Sequence, residues 1–225
     1  MEIKTIQLKK NMIENNDRDA DILRSQLKKK RTFYMNLMSA PGSGKTTTLI
    51  STIQYLQKLN SNLKIGVMEA DIDSDVDAIT IRDRTGVPTI QLHTGGMCHL
   101  DADMSRQGLK EIRFADLDLI FLENVGNLVC PAEFDTGAVK NAVILSVPEG
   151  DDKPLKYPLM FTEADVIIVN KTDTLEAFDF DKDIFLGNVH KCNENAQVFF
   201  ISAKTGEGLK TWSNWLMGEV KSWVK

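Results

Sequence analysis

One stretch of this 225-residue chain brings glycine, lysine and threonine together: Ser39-Ala40-Pro41-Gly42-Ser43-Gly44-Lys45-Thr46-Thr47-Thr48. That mixture suits polyphosphate. Gly42 and Gly44 free the backbone to curl its N–H groups around phosphate oxygens, and a following helix adds partial positive charge at its N-terminus. The phosphate-binding candidates are Gly42, Ser43, Gly44, Lys45, Thr46 and Thr47. Lys45 would reach the β- and γ-phosphates, and the Thr46 hydroxyl would hold Mg²⁺. Ser39 stands where the G-x-x-x-x-G-K-[ST] pattern has its first glycine, which a tight loop accepts if φ stays negative.

Two acids complement this loop. Glu123 ends the apolar run Leu117-Asp118-Leu119-Ile120-Phe121-Leu122 and is followed by Asn124-Val125-Gly126. An apolar strand ending in a carboxylate is the Walker B arrangement, so Glu123 supports Mg²⁺ and the Gly126 N–H bonds the γ-phosphate. Five carboxylates crowd Glu69-Ala70-Asp71-Ile72-Asp73-Ser74-Asp75-Val76-Asp77. Such a run is too charged for a core and reads as a loop, with Asp71 the candidate to sense the γ-phosphate or position water.

The nucleobase has its own signal. Asn170-Lys171-Thr172-Asp173 follows an apolar run, and Ser202-Ala203-Lys204 follows another. The Asp173 carboxylate matches the paired N1–H and N2–H₂ donors of guanine, whereas adenine presents an acceptor at N1. Lys171 covers the base face, Asn170 tethers the loops, and a backbone N–H of 202–204 meets O6. The order of these motifs favours GTP over ATP.

A third group is soft. Cys98-His99 and Cys130 each follow a different strand signal, so they emerge on one edge of a sheet. Two thiolates and an imidazole suit Zn²⁺ or Ni²⁺. On spacing alone this competes with the commoner reading of buried cysteines. Cys192, with only His190 nearby, reads as structural.

Strand signals at 33–38, 64–68, 89–93, 117–122, 142–147, 164–169 and 197–201 must position these groups. Helical signals cover 46–59, 103–114 and 207–221, the last placing Trp212, Trp215 and Leu216 on one core-facing stripe. The alternation predicts an α/β P-loop NTPase fold, a mostly parallel sheet with helices on both faces. Residues 1–30 form a helical extension, starting at Asp17 or Asp19 with Leu23 and Leu27 on one face, and 31–225 the P-loop GTPase domain. Residues 149–158, with two prolines and five charges, read as a loop.

Net charge is −5. With a pI near 5.3 there is no basic excess for nucleic acid. No apolar run nears the ~20 residues that span a bilayer, and Met1 to Asn11 lacks the apolar core of a signal peptide. Three cysteines without a C-x-x-C pair form no disulfide framework, and a cytoplasmic protein is expected.

Five segments, SAPGSGKTTT, GGMCHLD, ENVGNLVCP, EGDDKPLKYP and NKTD, resemble the HypB family over about residues 30–225. That family comprises the GTPases that insert nickel into [NiFe]-hydrogenase. The resemblance favours Cys98, His99 and Cys130 as nickel or zinc ligands and makes Ser39 ordinary. It implies a GTP-dependent homodimer, with Lys153 reaching toward the partner subunit's nucleotide. It also implies a HypA-type nickel chaperone and the hydrogenase large subunit as partners. Many members carry an N-terminal cysteine motif or a His-rich stretch. Here the first cysteine is Cys98, so high-affinity nickel storage is not expected. No residue is an evident arginine finger in cis, so hydrolysis is expected to be slow. Two alternatives stand beside this. The urease nickel GTPases set their cysteine in Cys-Pro-His, unlike Cys98-His99 and Cys130-Pro131, and a metal-independent switch would bury the cysteines without using them.

Overall fold

The computed structural model describes residues 8–225, with side chains from residue 12; the sequence before Leu8 lies outside the described residues. The elements run α1 (Leu8–Lys30), β1 (Phe33–Ser39), α2 (Lys45–Leu59), β2 (Ile65–Asp71), α3 (Val76–Thr85), β3 (Thr89–His93), α4 (Ala102–Glu111), β4 (Leu119–Glu123) and α5 (Cys130–Glu133). Then come β5 (Lys140–Ser146), α6 (Lys153–Lys156), α7 (Pro158–Thr162), β6 (Val166–Asn170), α8 (Lys182–Cys192), β7 (Gln197–Phe200) and α9 (Leu209–Trp223). The strands form one seven-stranded sheet, ordered β3-β2-β4-β1-β5-β6-β7. Every neighbouring pair is parallel.

Burial explains the sheet. All seven residues of β1 and all five of β4 and β6 are buried, as strands covered on both faces must be. Alternate side chains feed two cores. Phe33, Met35 and Leu37 pack with Leu49, Ile53, Ile81, Trp212 and Leu216 under α2, α3 and α9. On the other face Tyr34, Ile120 and Leu122 meet Leu23, Leu27 and Leu109 of α1 and α4. Beside them Met38, Val143 and Ile167 meet Phe161 and Phe185 of α7 and α8. Leu23 and Leu27 are thus buried on one helical stripe, each worth about 2 kcal/mol. Trp212 resolves its one polar atom by donating to Thr52 Oγ1 at 2.9 Å.

The chain leaves β1 toward β2 and β3 on one side, returns through β4, and then builds β5 to β7 on the other. Loops after β1 and its neighbours therefore diverge at β1, where open parallel sheets take ligands. Register lines up the chemistry: Leu37 and Glu69 both lie opposite Glu123.

Four local expectations are corrected. α1 begins at Leu8 rather than at Asp17 or Asp19. Residues 8–16 hold no glycine or proline, so a helix anchored by Ala20, Leu23 and Leu27 propagates back through them. Residues 149–158 are not an open loop but helical turns, because Pro154 and Pro158 sit in the first turns of α6 and α7, where a missing N–H costs nothing. α4 stops at Glu111 instead of reaching 114, since Arg113 adopts φ 57°. β2 runs to Asp71, three residues past the sequence expectation, and carries acid into the core. No helix among the described residues is long and apolar enough to cross a membrane.

Candidate functional site

The loop between β1 and α2 turns at two left-handed glycines, Gly42 (φ 78°) and Gly44 (φ 89°), while Ser39 keeps an ordinary φ. A Cβ on Gly44 would lie 2.5 Å from Asn170 Nδ2, so only glycine lets the phosphate loop and the base loop touch there. Gly44 caps α2 without any side-chain bond, leaving the first N–H groups of the helix for an anion. Thr47 is exposed in that first turn, and Ser43 is buried. Across the loop, Gly126 packs against Pro41, where a Cβ would stand 3.2 Å from the ring.

Lys45 and Thr46 both address the end of β4. Thr46 Oγ1 donates to Glu123 Oε1 at 2.7 Å, and Lys45 Nζ lies 3.7 Å from the same oxygen. Glu123 is 1% exposed and Glu69 3%. This corrects the expectation that the whole acidic run is a loop too charged for a core: Glu69 is a buried residue of β2. Asp77, from α3, completes a set, since carboxylate oxygens of Glu69, Asp77 and Glu123 lie within 4.8 Å of one another. Oε2 of Glu69 and Oε2 of Glu123 are buried without a hydrogen bond. Burial raises the pKa of both, against the pull of Lys45 on Glu123, and with Glu123 repelling it Glu69 is pushed up to about 8. Unpartnered buried carboxylate oxygens beside a threonine hydroxyl are hard oxygen donors, and they fit Mg²⁺. Glu69 and Asp77 escaped the sequence reading because only strand register and α3 bring them to Glu123.

Asp71 sits at the end of β2, where Oδ1 accepts from the N–H groups of Asp73 and Ser74 at 3.1 and 3.0 Å. Those bonds hold its pKa below the usual carboxylate range. The structure thus uses Asp71 to fix the acidic loop beside Lys45.

The raised Glu69 pKa has a testable sign. Between the ordinary glutamate pKa and about 8 the folded state binds more protons than the unfolded one, so its contribution is full in acid and is lost as pH rises through that window. Glu69→Gln is expected to flatten the fall in stability of the nucleotide-free protein from pH 5 to 8. Denaturant titrations across that range check it, and an unchanged slope would sink the assignment.

The base loop is assembled from the ends of β6 and β7. Asn170 Nδ2 donates to Ser43 O at 3.1 Å, while its Oδ1 accepts from the Ala203 N–H at 3.0 Å. One amide thus joins the phosphate loop, β6 and the segment after β7. Lys171, at φ 63°, sends Nζ to Gly42 O at 2.7 Å, so its stem crosses the site. Asp173 Oδ1 accepts from Ser202 Oγ at 2.7 Å, and Lys204 Nζ lies 3.8 Å from its other oxygen. The Ser202 bond, chiefly, lowers the Asp173 pKa and keeps it an acceptor.

Cys98, His99 and Cys130 converge at the same edge of the sheet. Both sulfurs and an imidazole nitrogen lie within 4.8 Å of one another, all half-buried. Gly95 and Gly96, at φ 62° and 100°, turn the chain back after β3, and Cys130 opens α5. The His99 ring stacks on Phe134, centroids 3.9 Å apart, and burial lowers its pKa. The neutral imidazole is the form that binds metal. Cys192 lies apart, with Sγ 3.4 Å from Pro154 O. Lys153 opens α6 and lies over the Tyr157 ring at 5.2 Å.

A glycine loop between strand and helix, Lys-Thr at the helix start and a facing acid on the neighbouring strand define a P-loop nucleotide-binding protein. Residues 33–200 match the model of the CobW/HypB/UreG nucleotide-binding domain, and the chain belongs to the HypB branch of that family. It is 44% identical over 211 residues to the hydrogenase maturation factor HypB of Azotobacter chroococcum, covering 94% of this chain and 68% of that one. The hydrogenase/urease maturation factor HypB of Helicobacter hepaticus is 40% identical, over 92% of this chain and 84% of its own length. A crystal structure of HypB from Helicobacter pylori in complex with nickel superposes with a TM-score of 0.84 at 37% identity, over 92% of this chain and 96% of that one.

Proposed function

We propose that this protein is a GTP-hydrolysing metallochaperone that binds nickel, or zinc, and assists nickel insertion into [NiFe]-hydrogenase. The observation that carries the reading is the meeting of Cys98, His99 and Cys130 on the sheet edge that also presents the phosphate loop. Soft ligands hold the metal cargo, while Asn170, Lys171, Asp173 and the 202–204 segment select guanine. Gly42 to Thr47, with Gly126, receive the phosphates. Thr46 and Glu123, faced by Glu69 and Asp77, hold Mg²⁺, which neutralises charge on the β- and γ-phosphates when bound. Lys45 acts on the γ-phosphate.

Three soft ligands leave a coordination position for a donor or acceptor protein, or for a second copy. That suits a GTP-dependent homodimer in the cytoplasm, with Lys153 toward the partner's nucleotide. A HypA-type chaperone and the hydrogenase large subunit would stand on either side of it. Intrinsic turnover is expected well below about 1 s⁻¹, as for P-loop GTPases lacking an arginine finger. Single-turnover hydrolysis measures it.

The deciding experiment is nickel and zinc binding with and without a non-hydrolysable GTP analogue, with sedimentation to read mass. A dimer with analogue, and a metal affinity that changes with it, supports delivery as a coupling between sites. Cys98→Ala is expected to lower nickel affinity at least a hundredfold while leaving GTP affinity intact. Metal binding indifferent to that change would leave a plain GTPase switch. Delivery to urease is a second reading, favoured by the hydrogenase/urease name of the Helicobacter hepaticus relative.

A further inference from the structure

The two segments that carry the soft ligands come from different parts of the chain, and neither is held to the other by a strand. Cys98 and His99 follow β3. Cys130 opens the one-turn α5, and Phe134 beyond it stacks on His99. Both segments are tied to the same residue of α1. Asn16 Nδ2 donates to Asp135 O at 2.9 Å, and Asn16 Oδ1 accepts from the Ala102 N–H at 2.8 Å. Asp135 adjoins Phe134, and Ala102 is the first residue of α4, three past His99. Asn16 is 9% exposed, so both bonds are shielded from water.

The surroundings fix the amide in place. Asp101 caps α4 by accepting from the Met104 N–H at 2.8 Å. Arg24, two turns along α1 from Asn16, grips both carboxylate oxygens of Asp135 at 2.9 and 2.6 Å, and Gly137 N–H donates to one of them at 2.8 Å. Gly137 has no room for a Cβ, which would stand 2.7 Å from Leu23 of the same helix. The two ligand segments therefore register against α1.

We infer that Asn16 is a positioning residue for the Cys98–His99–Cys130 site, holding the ligand-bearing segments at the separation the metal requires. The inference rests on the metal reading above. Two segments free to drift apart would keep their ligands but lose pre-organisation, and removing an outer-shell support of this kind typically costs 10- to 100-fold in metal affinity. Asn16 touches neither the phosphate loop nor the base loop, so nucleotide affinity should not follow.

The test titrates cobalt(II) and nickel(II) into the full chain, reading the thiolate-to-metal charge-transfer band and, for cobalt, the d–d bands of a tetrahedral site. Asn16→Ala is expected to weaken binding at least tenfold and broaden or shift those bands, with GTP-analogue affinity within twofold of the parent. Asn16→Asp retains the acceptor for Ala102 but sets a carboxylate oxygen against the Asp135 carbonyl, and is expected to weaken binding at least as much as alanine does; Asn16→Ser, smaller and uncharged, serves if either folds poorly. Leu27→Ala, lower on the same helix, controls for simple loss of stability. Bands and affinity unchanged in Asn16→Ala, or equally altered in Leu27→Ala, would overturn the positioning role. A parent protein without a thiolate band, or one whose band survives Cys98→Ala, defeats the metal reading itself, a result distinct from either.

Discussion

Asp173→Asn is expected to lower GTP affinity by about 10²–10³-fold and to make xanthosine triphosphate the better ligand. Asp173 lies in the base loop with one oxygen fixed by Ser202 at 2.7 Å and the other near Lys204 at 3.8 Å. A carboxylate so held offers only acceptors, which guanine would meet with two donors. Asparagine turns an N–H₂ toward the base, where the guanine amine clashes with it and the xanthine carbonyl accepts it. The cost is high because the mismatched donors have already left water. Titration with fluorescent GTP and XTP analogues decides the matter. GTP affinity unchanged by the substitution would mean that the segment after β6 does not read the base.

Glu123→Gln is expected to cut hydrolysis by about 10²–10³-fold, the usual scale for losing one electrostatic element of such a site. Its effect on the free protein runs the other way. Glu123 is 1% exposed and faces the buried, unpartnered Oε2 of Glu69. Glutamine keeps the acceptor for Thr46 and removes the carboxylate that repels Glu69, so the nucleotide-free protein is expected to melt higher than the parent above pH 8, where Glu69 is ionised. Stability set aside for chemistry in this way is a common feature of active sites. Turnover that survived the change would remove Glu123 from the Mg²⁺ set. A lower melting point would show that Lys45 and Glu123 act mainly as a structural pair.

Much of the candidate site is legible in the sequence as local motifs. The phosphate loop, Glu123 with Gly126, and Asn170 to Asp173 are each runs of neighbouring residues at a strand end, and local backbone geometry suffices to present them. The sheet was legible for a similar reason: strands such as Val166–Asn170, buried on both faces, are apolar without interruption. Pro154 and Pro158 misled because proline ends a helix from within but starts one at its first turn, and only the packing of α6 and α7 decides between them.

Other features depend on separation in the chain. Glu69 reads as one more acid in a charged run until the register of β2 sets it opposite Glu123. Asp77 joins them only because α3 folds back over that edge. Asn16 is an unremarked polar residue in a lysine-rich stretch, and its partners stand 86 and 119 positions away. Composition and spacing specify which groups can bind phosphate, guanine and a soft metal, since that chemistry resides in residue type. Which acids come together, and which helix hydrogen-bonds both cysteine-bearing segments, depends on non-local contacts that no single stretch encodes.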